Sequence, residues 1–200
     1  MPNMRLQDKG RVNAAKPVQF TFNGMIFSGV QGDTLASALL ANGEHLVGRS
    51  FKYHRPRGIL SAGSEEPNAL VGVDRGAGRY EPNTRATVLE LYDGLKAESQ
   101  NHWPTLRHDV GAINDLFYRF LPAGFYYKTF MWPKSFWNKL YEPFIRGAAG
   151  LGKSPQEPDP DSYASRYAFC DVLVVGAGPA GLAAAYEAAK SGANVILCDE

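Results

Sequence analysis

The residues whose types and spacing can do recognisable chemistry lie near the end of the 200-residue chain, in Gly176-Ala177-Gly178-Pro179-Ala180-Gly181. A G-x-G-x-x-G spacing by itself is common, and its meaning depends on what surrounds it. Here a near-continuous apolar run, Asp171–Val175, precedes it, and an alanine-rich stretch, Leu182–Ser191, follows. Gly192 closes that stretch, Val195–Cys198 is a second apolar run, and Asp199-Glu200 comes next. Strand, glycine turn, helix and second strand ending in acids is the context that binds a dinucleotide. Gly176 permits the tight turn, Gly178 has no Cβ and lets a pyrophosphate approach the backbone, and Gly181 lets helix and strand pack closely. Pro179 sits at the first helical position, where its missing N–H costs nothing. The amides of Ala180 and Gly181 are then the donors aimed at phosphate, reinforced by the helix dipole. Asp199, 18 positions after Gly181, is placed to accept hydrogen bonds from a ribose, and Glu200 is the adjacent alternative. NAD and FAD both use this fingerprint. A βαβ unit with a purely structural role is the competing interpretation.

Other chemistry is sparse. The two cysteines, Cys170 and Cys198, exclude a disulfide framework and any zinc or iron–sulfur site built from cysteines of this chain. They fall at the start of one strand and the end of its parallel neighbour, ~15 Å or more apart, too far to be bridged. Both read as small buried hydrophobes, and a reducing compartment is the default. Twenty-one basic and 20 acidic residues give a net charge of +1, which carries no nucleic-acid signature. No apolar run reaches the ~18 residues of a membrane span, and Met1–Lys16 has no apolar core of a secretory signal. The expectation is a cytoplasmic protein with no membrane and no nucleic-acid partner.

The elements that must position these residues can be laid out in order. Residues 1–16 read as an arm or extended lead-in. Val18–Phe22 and Met25–Val30 flank Asn23-Gly24, the strongest short signal for a β-hairpin. A helix follows, capped by Asp33 or Thr34, with Leu35, Ala36, Leu39 and Leu40 on its apolar face and Gly43 as its stop. Residues 46–68 are irregular and basic, with Arg49, Lys52, Arg55 and Arg57; their charges read as solvated or facing a partner protein. Short strands are expected at Ala69–Asp74, Ala86–Tyr92 and Leu95–Glu98. Hairpin, helix, loop and returning strands is the order of a β-grasp domain of the ferredoxin-like kind, over 17–100. Residues 101–147 hold thirteen of the 24 aromatics. Prolines cut this stretch into pieces, with a short helix near 110–121, and it reads as a connector packing its rings on larger domains. With the Gly- and Pro-rich linker after it, the connector runs over 101–168. Residues 169–200 then begin a Rossmann-like domain. A βαβ unit cannot bury both faces of its own sheet, so the chain is expected to be the N-terminal part of a longer polypeptide. The fold class is α/β and α+β.

Gly48-Arg49-Ser50-Phe51-Lys52-Tyr53-His54-Arg55-Pro56-Arg57-Gly58 and Glu65-Glu66-Pro67-Asn68-Ala69-Leu70 resemble the N-terminal domain of the α subunits of heterotetrameric sarcosine oxidases. The aromatic segment and Val172–Glu200 fit the same family, so the resemblance covers nearly the whole chain. Subunits of N-methylglutamate dehydrogenase are similar, and those of hydrogen cyanide synthase and opine oxidase more distantly so.

The resemblance implies oxidative demethylation of sarcosine to glycine, with formaldehyde, or methylenetetrahydrofolate when tetrahydrofolate is present, and hydrogen peroxide. It implies NAD in this subunit, FAD in the β subunit, FMN at their interface, a tetrahydrofolate-binding domain further along the chain, and β, γ and δ subunits as partners. By motif position, Ala180, Asp199 and Glu200 match the NAD contacts. Sarcosine is oxidised at the FAD of the β subunit, so no catalytic residue is expected here. Ferredoxin-like relatives carry cluster cysteines in the loop that residues 49–64 occupy. This loop has none, so the β-grasp domain is expected to be cluster-free, with no metal ligands. A dehydrogenase of the same architecture and a non-catalytic cofactor-holding scaffold are the alternatives.

Overall fold

A computed structural model describes residues 4–6, 10–124 and 132–199. The chain divides into two compact units, Met1–Pro160 and Asp161–Glu200.

The first unit is built on a hairpin, β1 (Asn13–Phe22) and β2 (Met25–Gln31). Asn23 and Gly24 between them take φ of 50° and 77°, the left-handed pair that a type I′ turn requires and that Asn-Gly tolerates. Helix α1 (Leu35–Ala41) begins at Thr34, whose hydroxyl accepts from the Ser37 amide while the Ser37 hydroxyl accepts from the Thr34 amide, a reciprocal capping box. Two-residue strands β3 (Gly48–Arg49) and β4 (Pro56–Arg57) pair antiparallel within the basic loop. β5 (Leu70–Asp74), β6 (Tyr80–Arg85) and β7 (Leu95–Ser99) complete a five-stranded sheet in the order β2-β1-β7-β5-β6. β1 and β7 run parallel at its centre, Phe20 opposite Leu95 and Phe22 opposite Ala97, and the other pairs are antiparallel.

One core joins sheet and helix. Phe20, Phe22, Leu35, Leu39, Val71, Val73 and Leu95 are buried in it, each Leu, Val or Phe side chain contributing ~1.5–3 kcal/mol by leaving water. Phe20 also stacks on Phe27 across the hairpin.

Two expectations are corrected. The strand after β5 runs over Tyr80–Arg85 and not Ala86–Tyr92. The carbonyls of Ala86 and Leu89 are taken by the first amides of α1, at Ala36 and Leu35, and the Leu91 amide donates to Asp33 O. A tract satisfying the helix start cannot also serve a sheet ladder. The arm is not free of structure either. β1 starts at Asn13, the Met4 amide donates to Ala41 O, and Arg5 forms a two-pronged pair with buried Asp33 at 2.8 and 2.6 Å. Asp33 is therefore not the helix cap; it receives Arg5, the Val30 amide and the Ser37 hydroxyl. Burial raises its pKa, but these donors outweigh it and hold the carboxyl below its usual range.

A 3-10 helix follows over Val110–Phe120, with non-helical backbone at Phe117, and α2 spans Glu142–Ala148. The second unit holds β8 (Val172–Val175), α3 (Pro179–Lys190) and β9 (Val195–Cys198), the strands parallel with Val175 opposite Cys198. Among its described residues none is buried. Cys198 is exposed and Cys170 half-buried. This departs from the expectation of two buried thiols: α3 packs against β8 and β9, yet Cys198 stays exposed in this unit. Among the described residues no helix is long and apolar enough to cross a membrane.

Candidate functional site

The glycine turn sits at the carboxyl end of β8, where the Gly176 amide donates to Cys198 O at 2.8 Å. That bond places the turn beside the residue that follows β9, Asp199. Gly176 takes φ 100°, a conformation in which a side chain is strained. Gly178 is the N-cap of α3, with extended backbone, and Pro179 opens the helix. The Leu182 amide donates to Gly178 O, so the amides of Ala180 and Gly181 lie in the first turn ahead of the helical ladder.

The three glycines are required for different reasons. A Cβ on Gly181 would collide with Gly176 O, so only glycine lets helix and turn approach this closely. A Cβ on Gly178 would meet nothing within 4 Å. Its side is open, which is the cradle a pyrophosphate needs next to backbone amides and the positive end of a helix. Gly176, Gly178, Ala180, Gly181 and Asp199 thus converge on the carboxyl end of one parallel strand pair. Glu200 lies outside the described residues.

In the first unit Arg55 and Arg57 of the basic loop are exposed, as expected for solvated charges, but Arg49, Lys52 and Arg55 are engaged by groups of the same unit. Arg49 donates to Leu106 O at 2.9 and 2.7 Å, to Arg107 O at 3.0 Å and to His54 O at 3.1 Å. Tyr53 donates to Leu121 O at 2.7 Å and Lys52 to Pro122 O at 2.9 Å. Arg55 pairs with Asp115 at 2.7 Å. His54 Nδ1 meets buried Asp109 at 2.6 Å, and Asp109 also accepts from the Trp103 and Gly111 amides. Burial raises the pKa of Asp109, but these bonds and His54 hold it below the usual carboxylate range. The loop's cations and ring hydroxyl therefore clamp residues 103–122. A sequence could not show this, since the carbonyls that receive the charges belong to an irregular segment about 55–70 positions away.

Glu66 is a buried carboxylate whose part in the loop the spacing of residues did not reveal. Its side chain is buried and receives four amides, those of Leu60 and Ser61 on one oxygen and Asn68 and Ala69 on the other. Burial raises its pKa, yet the four donors outweigh that and keep the carboxyl ionised below its ordinary range. The tract 60–69 is thus folded around one carboxylate.

Comparison with known proteins gives these arrangements a context. The chain is 64% identical over 200 residues to the sarcosine oxidase alpha subunit of Rhizobium meliloti (strain 1021), covering 100% of this chain and 20% of that protein. The whole chain is similar to a sarcosine oxidase alpha subunit. The Corynebacterium sp. (strain U-96) protein of the same name is 38% identical over 192 residues, 95% of this chain and 15% of its own length. An opine oxidase subunit of Agrobacterium tumefaciens (strain Ach5) is 66% identical over 32 residues, 16% of this chain and 6% of its own. The chain spans a fifth or less of the length of these relatives. Residues 171–200 match the FAD dependent oxidoreductase family, and residues 15–102 match the 2Fe-2S iron-sulfur cluster binding domain family.

The two matches fare differently against the residues present. The glycine turn fits a dinucleotide. An iron–sulfur cluster of the ferredoxin kind needs four thiolates, and residues 15–102 contain no cysteine. The sequence similarity to that family is therefore not accompanied by its ligands.

Proposed function

We propose that this chain is the dinucleotide-holding part of a flavin-dependent oxidoreductase subunit of the sarcosine oxidase alpha type. One observation carries the proposal: the open backbone at Gly178, on the positive end of α3, stands at the same strand ends as Asp199. The amides of Ala180 and Gly181 bind the pyrophosphate, and Asp199, with Glu200, accepts the ribose hydroxyls. Two carboxylates repel a 2′-phosphate, which favours NAD over NADP. The dinucleotide supplies the electron-carrying group; the residues of this chain bind and orient it. FAD is the second reading, favoured by the family matched over residues 171–200.

The first unit is a β-grasp domain of ferredoxin-like topology without a cluster. Its central parallel pair β1–β7 and the helix between hairpin and later strands support this assignment. Glu66 and the Arg49 clamp hold the loop that metal ligation would otherwise organise.

For the complete enzyme the substrate is sarcosine, oxidised to glycine with formaldehyde or methylenetetrahydrofolate and hydrogen peroxide, in an assembly with β, γ and δ subunits, FAD, FMN and tetrahydrofolate. The likeness to sarcosine oxidase covers the whole chain, while that to opine oxidase covers 32 residues, which favours the sarcosine reading. Peroxide formation by the purified assembly with sarcosine tests it; turnover of an opine or N-methylglutamate but not sarcosine overturns the substrate. Identifying the nucleotide released on denaturing this subunit tests the site.

A further inference from the structure

The Glu66 carboxylate is a buried anion held by the backbone alone. Its oxygens receive the amides of Leu60, Ser61, Asn68 and Ala69. All four donors are backbone groups, and no side-chain cation bonds to it among the described residues. Converging backbone amides form a nest, the device that holds phosphates and iron–sulfur clusters. Hydrogen bonds to its sulfurs are also part of how a protein holds and tunes such a cluster.

The spacing of the nest residues carries the argument further. Plant-type [2Fe–2S] sites place their ligands as C-x4-C-x2-C, with a fourth cysteine further along. Ser61, Glu66 and Ala69 stand at that spacing. They also meet in space, since Ser61 and Ala69 supply two of the four amides on the carboxylate. A fourth position closes the group. The Thr87 hydroxyl donates to Gly63 O at 2.7 Å, and the Glu66 amide donates to the same carbonyl at 3.2 Å. Next to Thr87, the Ala86 amide donates to Ala69 O at 2.9 Å. Glu66, Ala69 and Thr87 are all buried.

Ser61 adds an independent observation. Its Oγ is buried and has no hydrogen-bond partner among the described residues. Buried polar atoms are almost always bonded, and leaving one unbonded costs free energy. A loop built only to seat Glu66 has no use for that hydroxyl. At a former ligand position it is explained, because a hydroxyl differs from a thiol in one atom but offers no thiolate to a metal.

We propose that Glu66 fills, with its own carboxylate, the place of a [2Fe–2S] cluster whose four ligand positions are Ser61, Glu66, Ala69 and Thr87. The proposal rests on the reading of the first unit as a cluster-free domain of ferredoxin-like topology, and gives the residue-level reason for the family match over residues 15–102. The nest outlasts its metal because the chain supplies the anion.

The test uses the full-length polypeptide with Ser61→Cys, Glu66→Cys, Ala69→Cys and Thr87→Cys, given ferrous iron and sulfide under anaerobic conditions. The expected result is about two irons and two acid-labile sulfides per chain, with an EPR signal on one-electron reduction. A second chain, with Ser64→Cys in place of Ser61→Cys, should hold no cluster. An empty first chain, or equal loading of both, overturns the proposal. Two further variants do not depend on those chains folding. Ser61→Ala should leave the urea midpoint unchanged or raised, because an unbonded hydroxyl loses nothing; a lowered midpoint gives that hydroxyl a structural role and overturns the assignment. Glu66→Ala should lower the midpoint, and formate but not formamide should restore it relative to wild type in the same solution. Recovery with both or with neither overturns the nest. Stoichiometric iron in the wild-type polypeptide would refute the cluster-free reading itself, whereas an iron-free wild type beside an empty four-substitution chain refutes only this proposal.

Discussion

Replacing Glu66 by glutamine should remove a large share of the first unit's stability without changing its shape. Glu66 Oε2 accepts from the Leu60 and Ser61 amides at 2.8 and 2.6 Å, and Oε1 from the Asn68 and Ala69 amides at 2.7 and 3.2 Å. Glutamine keeps one oxygen and turns an NH₂ toward the other two amides, so donor faces donor. Two hydrogen bonds to a charged group contribute ~1.5–3 kcal/mol each. With relaxation of the loop we expect a loss of about 3 kcal/mol, against a total of ~5–15 kcal/mol for a domain. In urea that lowers the midpoint by ~1–3 M, for a slope of ~1–3 kcal/mol/M. The effect depends on pH in a defined direction. The folded pKa of Glu66 is depressed, so its contribution is complete above the unfolded value of ~4.3 and is lost as pH falls through the folded one. The gap between wild type and Glu66→Gln should therefore be full at pH 7 and shrink in acid. A difference below ~0.5 kcal/mol at pH 7, the size of an ordinary surface substitution, or a gap that does not change with pH, would refute the reasoning.

Asp109→Ala leaves His54 and Arg49 facing an empty buried site, and losing one partner of a buried pair costs ~3–5 kcal/mol; trypsin should then cut faster after Arg107 and Arg119. His54→Ala with Asp109→Ala should cost less than the two single changes added together, as a double-mutant cycle of unfolding free energies will show. Iron and acid-labile sulfide analysis of the purified protein should find neither in stoichiometric amount, since residues 15–102 offer no thiolate; stoichiometric iron would contradict the loop assignment.

Local chemistry made much of this structure legible before any coordinates. Asn23-Gly24 fixed a hairpin because few other pairs accept two positive φ values, and Gly176 marked its turn for the same steric reason. The short helix expected near 110–121 is present as a 3-10 helix over Val110–Phe120, with non-helical backbone at Phe117. What stayed hidden depends on distant partners. Ala86–Leu91 has the composition of a strand, yet its carbonyls serve the start of α1. Arg49, Lys52 and Arg55 look like solvated charge until the carbonyls of residues 106, 107 and 122 and the carboxylate of Asp115 are brought to them. Glu66 is a lone acid in a loop, and only the folded backbone gathers four amides around it.

The dinucleotide site depends most directly on what Gly178 leaves open. A Cβ there meets no protein atom within 4 Å, so Gly178→Val should leave the turn in place and obstruct what approaches it. The measurement is the identity and amount of nucleotide released by denaturing the full-length subunit, wild type beside Gly178→Val. The wild-type subunit should release NAD in an amount near one per chain, and the variant should release little or none while the first unit stays folded. Release of FAD would move the ligand to the second reading and leave the site in place. Unchanged nucleotide content in Gly178→Val, or no dinucleotide from the wild type, would contradict the assignment of Gly176–Gly181 and Asp199 as the dinucleotide site.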